Sequence, residues 1–167
     1  ESEVALIDKW LAALHLEGGG GGLGESYDLA MYVAARHTAP ECYLKDKRRG
    51  YFFMTGDEPP FAHTFVEHVK QLIGTELAAD IPLHEVAAEL EAMYFPFMII
   101  PDAARAKNGA CETTWRHLWG DRVIVLATPD DTALACALLI GISEGLLKDV
   151  PALEGYIEKV QGRTGEE

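Results

Sequence analysis

The chain of 167 residues carries 27 acidic against 14 basic side chains, a net charge of −13, with 49% hydrophobic and 25% charged residues. These proportions fit one globular domain with a packed core and exclude a disordered, collagenous or coiled-coil chain, while the negative charge repels nucleic acid and anionic membranes as general partners. Cys42, Cys111 and Cys136 are too scattered for a disulfide framework or a Cys-x-x-Cys site, and the longest apolar run, Ala133 to Ile140, is far shorter than a bilayer span, so a reduced, cytoplasmic protein is expected.

Val4, Ile7, Leu11 and Leu14 recur at three and four residues beside Trp10, which predicts a helix to about Leu16. Five glycines, Gly18 to Gly22, and then Gly24 end it as a loop, because no helix or strand interior tolerates that loss of chain entropy. A helical pattern resumes over Glu25 to His37, followed by a turn-rich stretch with Pro40 and the basic cluster Lys45, Lys47, Arg48 and Arg49, read as a solvated loop. Tyr51 to Met54 reads as a buried strand that leaves through the rigid Thr55-Gly56-Asp57-Glu58-Pro59-Pro60.

Helices are predicted over Phe61 to Ile73 and, with Pro82 at its start, over Leu83 to Tyr94. Phe95 to Ile100 is a second apolar strand closed by Pro101-Asp102; Thr113 to Trp119 is a short helix stopped by Gly120 and carrying Trp115 and Trp119 on one core-facing side. Arg122 to Ala127 is a third strand, and Thr128 to Asp131 supplies the N-cap of a helix over Thr132 to Lys148 that is apolar nearly all round and so expected to be buried on several sides. A further short helix over Val150 to Val160 and a frayed tail complete the reading, which places one α/β domain in residues 1–148 and an extension in 149–167.

Alternating apolar strands and helices imply a three-layer, Rossmann-like parallel sheet with helices on both faces. Three strands make a narrow sheet of this kind, so the rest is expected from absent residues or from another molecule. Ligands of such sheets bind outside the carboxyl ends of the strands, and all three predicted strands end in acids: Asp57 and Glu58, Asp102, and Asp130 with Asp131. An oxygen-rich rim of that kind suits Mg²⁺, although Asp130 and Asp131 also fit helix capping and Asp102 a solvated turn.

Gly19, Gly21 and Gly24 match Gly-x-Gly-x-x-Gly, yet the element before them reads as a helix and no acid-ended strand follows at the required spacing, so the dinucleotide fingerprint is incomplete. The six histidines lack ligand spacing, His63 and His68 being five apart on one predicted helix, and with no Gly-x-Ser-x-Gly elbow a nucleophile has no support.

The segment Leu16 to Glu25, the following helix, the strand Gly50 to Met54 and its Gly-Asp-Glu-Pro-Pro exit together resemble the central part of a von Willebrand factor type A domain of the bacterial intracellular kind. The resemblance covers most of residues 3 to 146, its motifs only 16 to 60. It implies a non-enzymatic protein-interaction module with a six-stranded sheet and a Mg²⁺-dependent adhesion site, with Asp57 as a metal ligand and Glu25 and Ser26 near the position of the family's loop threonine, which this loop lacks. The family's Asp-x-Ser-x-Ser strand is missing, so the chain resembles the carboxyl-terminal half to two-thirds of such a domain. Gly20, Gly21, Gly22, Glu58 and Asp102 are then the expected partner-binding residues, and the partner is a protein, the absent half of the domain, or a further copy. The alternatives are a Rossmann-like domain that binds a nucleotide or phosphorylated ligand through its glycines, and a metal-free structural subunit.

Overall fold

A computed structural model describes residues 4–14, 25–104, 109–148 and 151. Three strands, β1 (Gly50–Thr55), β4 (Tyr94–Ile100) and β5 (Val123–Val125), form a parallel sheet in the order β1-β4-β5. Gly50 pairs with Tyr94 and Thr55 with Ile99; Met98 pairs with Val123 and Ile100 with Val125. The remaining elements are α1 (Val4–Ala12), α2 (Tyr27–His37), α3 (Glu41–Asp46), β2 (His63–Thr64), α4 (Val66–Leu72), β3 (Ile81–Pro82), α5 (Leu83–Met93), α6 (Ala110–Trp119) and α7 (Thr132–Ser143).

Strand alternation divides the sheet into two unlike faces. Phe52, Met54, Tyr94, Met98 and Ile100 point into the main core, where they meet Met31 and Tyr32 of α2, Val86 and Leu90 of α5, and Trp115 and Trp119 of α6. The other face carries Tyr51, Phe53, Phe95 and Phe97 in stacked pairs, and the Tyr51 hydroxyl donates to Glu144 Oε1 at 2.9 Å, which ties the end of α7 to it. A bidentate pair, Arg36 Nε and Nη2 to the two Glu89 oxygens at 2.7 Å, spans α2 and α5. Partial exposure limits the stabilisation such a pair gives.

Several elements differ from the sequence reading. The stretch around the basic cluster contains α3, closed by Lys47 at φ 57°. The helix expected from Phe61 begins at Val66, after Phe61 to Phe65 has turned to pair β2 antiparallel with β3; His63 is thus a strand residue. In β1 only Met54 is buried, because the strand is the sheet's edge and no neighbour shields its outer side among the described residues. The last strand is shorter than expected, with Arg122 in a 3₁₀ turn. Only Ala135 and Gly141 of α7 are buried, and the helix stops at Ser143 before Gly145 at φ 69°. Its apolar residues outnumber the surfaces that cover them.

Asp131 stands at the N-cap of α7 without a side-chain cap bond; it is the Thr128 hydroxyl that accepts from the Asp130 amide. The apolar stripe of α1 is exposed at Val4, Ile7, Trp10, Leu11 and Leu14. The helix expected at 150–160 lies outside the described residues apart from Pro151. No helix among the described residues is long and apolar enough to cross a membrane.

Ile99, fully buried in the central strand, and Leu44, 62% exposed on α3, give contrasting expectations. Ile99→Ala should cost about 2–5 kcal/mol in urea unfolding and Leu44→Ala within roughly 0.5 kcal/mol of nothing.

Candidate functional site at the carboxyl edge of the sheet

Because all three strands run the same way, their carboxyl ends and the loops after them share one edge. The Gly56 amide donates to the Ile99 carbonyl at 3.2 Å, which extends the β1–β4 ladder one residue past the strand and fixes where Asp57 leaves the sheet. Pro59 and Pro60 then stiffen the exit. The Glu25 amide donates to the Pro59 carbonyl at 3.2 Å, and Glu25 forms a parallel bridge with Pro60. Exposed Glu25 and Ser26 are therefore held against the exit of β1.

Tyr27, the first residue of α2, lies between these groups. Its ring meets Trp115 edge-on with centroids 5.4 Å apart, and its hydroxyl is buried without a hydrogen-bond partner among the described residues. Burial, and then the negative charges of Glu25 and Asp57, push the Tyr27 hydroxyl well above the ordinary tyrosine range. That places Glu25 and Asp57 within electrostatic reach of one group. The Trp115 indole N–H donates to the Glu58 carbonyl at 3.2 Å. Cys111, buried at the start of α6, has its thiol pushed up to about 11 by burial and by Asp57, Glu58 and Glu112, so it is a poor nucleophile.

Asp102 leaves β4 at the same edge, where its Oδ1 accepts from the Ala104 amide at 2.8 Å and forms a turn. Asp130 and Asp131 follow β5 in a 3₁₀ turn. The edge thus unites Glu25, Ser26, Asp57 and Glu58, with Asp102 on the neighbouring strand. Gly20, Gly21 and Gly22 lie outside the described residues. Among the described residues no three His, Cys, Asp or Glu side chains gather as a metal site.

Beneath this edge lies a buried polar group absent from the sequence reading. The Asp28 carboxyl, the Thr64 hydroxyl and His68 Nδ1 are buried without hydrogen-bond partners among the described residues. Burial raises the Asp28 carboxyl above the usual carboxylate range, an effect that the Thr64 hydroxyl, the start of α2 and the His68 ring offset only in part. The signal was present: Asp28 precedes Met31 and Tyr32 by three and four residues and so falls on the helix face that those residues bury. The partly exposed His68 ring packs among Phe61 and Phe65.

Two outcomes follow from this packing. A Cβ at Gly56 would lie 1.9 Å from the Tyr27 hydroxyl oxygen, so Gly56→Ala should lower stability by about 1–3 kcal/mol with a matching loss of Tm. For Asp28, the unfolded chain ionises above about pH 3.9 while the folded carboxyl keeps its proton to higher pH, so the wild type loses stability as pH rises through that window. Asp28→Asn should melt higher than the wild type at pH 7, and the advantage should vanish below about pH 4; an advantage independent of pH would contradict the assignment.

No protein-family profile, curated protein or solved structure matches the chain.

Proposed function

We propose that the chain is a protein-interaction module of von Willebrand factor A type that recognises its partner at the carboxyl edge of the sheet. The observation that carries this reading is the Glu25–Pro59 hydrogen bond with the Glu25–Pro60 bridge, which joins the exit of the glycine-rich segment to the aspartate-bearing exit of β1. Glu25, the last residue of the first motif that suggested the resemblance, thus lies against the second. The three-layer, doubly covered form of the sheet belongs to the same proposal.

The donors there suit Mg²⁺ in kind. The Asp57 and Glu25 carboxylates and the Ser26 hydroxyl are hard oxygen ligands, and Mg²⁺ commonly needs only one or two carboxylates, with waters and a partner's oxygens filling the rest of its shell. When bound, the ion would let an acidic partner approach an acidic edge. Within the chain itself, Asp57 and Glu25 supply charge, Ser26 a neutral oxygen, and the Pro59–Pro60 exit holds them in place.

The nucleotide alternative is less well supported. Glu25 and Asp28 flank the start of α2, with Asp57 and Glu58 on the facing loop, so a phosphate would enter a negative field. The structural-subunit alternative draws on a different observation, the open edge of β1.

Trp115, bonded to the carbonyl beside Asp57, is a built-in reporter. Titration with Mg²⁺ or Mn²⁺ should give a saturable change in tryptophan emission in the wild type that Asp57→Ala loses. The same change in both proteins would remove Asp57 from the site, and no change in either would remove the cation.

A further inference from the structure

We propose that β1 pairs antiparallel with β1 of a second copy of this chain, across a two-fold axis at Phe53, to give a continuous six-stranded sheet. Among the described residues nothing pairs with the outer edge of β1, although it is a regular strand of six residues. An open edge of that length is a template for another strand. Apolar surface flanks it on both sides. On the core face, Leu29, Val33, Phe52, Leu72 and Ile73 line a groove of about 520 Å³. On the other face stand the stacked rings of Tyr51 and Phe53, only half-buried.

Charge selects the occupant. The strand is entered through Arg48 and Arg49 and left through Asp57 and Glu58. A two-fold axis at Phe53 sets Tyr51 opposite Thr55 of the second copy, so Arg48 and Arg49, which precede the strand, come to the end where Asp57 and Glu58 of the second copy leave it. A parallel neighbour would bring like charges together at both ends. Only the antiparallel self-pairing matches them twice, and an isologous two-fold contact repeats each match. Cross-strand partners share a face, so Phe53 meets its own copy and Tyr51 meets Thr55, extending the aromatic surface across the axis. Arg48 and Arg49 are exposed; in the single copy Arg49 donates from Nη1 to the Glu91 carbonyl at 3.3 Å and lies over the Phe95 ring at 3.5 Å, contacts on the β4 side that it exchanges for the second copy's acids.

The pairing does not rest on the cation reading, and its test is run in EDTA so that the two fail separately. Sedimentation of the full chain from low to high micromolar concentration should show a monomer–dimer equilibrium. Arg48→Glu with Arg49→Glu, and separately Asp57→Arg with Glu58→Arg, should each weaken the dimer roughly tenfold or more, and an equimolar mixture of the two variants should recover dimer as a mixed pair in native mass spectrometry. Phe53→Glu, which sets like charges on the axis, should also give monomer, with far-UV circular dichroism reporting that it is folded. A wild type that stays monomeric throughout, a dimer indifferent to both charge reversals, or a mixture that forms no mixed pair would overturn the proposal.

Discussion

The parallel pairing of β1, β4 and β5 is the constraint on which the rest of this structure depends. Once Gly50 is opposite Tyr94 and Met98 opposite Val123, the direction of every connection follows. The loops after the strands gather on one edge and the helices must return along the faces. Strand direction brings the acids that follow β1, β4 and β5 to that edge, which is how a chain with a net charge of −13 comes to concentrate negative charge there. Among the described residues the same pairing leaves β1 outermost.

Below the edge, the architecture tolerates polar groups that a purely structural optimum would remove. The Tyr27 hydroxyl and the Asp28 carboxyl are consecutive residues, both buried and both without hydrogen-bond partners among the described residues. A buried polar group left in that state costs on the order of 1–3 kcal/mol. Tyr27 fits only because residue 56 is glycine. Close packing and unsatisfied polarity thus converge on the start of α2, directly behind Glu25 and Ser26, and local rules are broken at functional sites more often than elsewhere.

Much of the fold was legible in the residues. The runs Tyr51 to Met54 and Phe95 to Ile100 are unbroken apolar segments between turn formers, and they became the parallel strands β1 and β4. Gly120 ended its helix as expected, whereas Gly145, at φ 69°, lies past the end of a helix that was expected to run on to Lys148. The misses have physical causes. Two-residue strands such as β2 and β3 are shorter than any period they could display, so the helix pattern of Phe61 to Ile73 masked them. Hydrophobicity predicted burial for β1 and α7, but burial depends on what lies opposite, and neither an edge position nor a missing cover is written in a strand's own composition. At the candidate site, Asp57 and Glu58 were legible as strand-ending acids and Glu25 only through the family resemblance, whereas Tyr27, Thr64 and His68 matter through neighbours distant in sequence.

The most direct test of this account is the pattern of interstrand nuclear Overhauser effects in a uniformly labelled sample. Parallel pairing predicts backbone contacts between Phe53 and Phe97 and between Met98 and Val123, repeating along each ladder in the same direction. Contacts that ran in opposite directions along β1 and β4, or that placed another strand between them, would separate the acidic exits and contradict the account at its base.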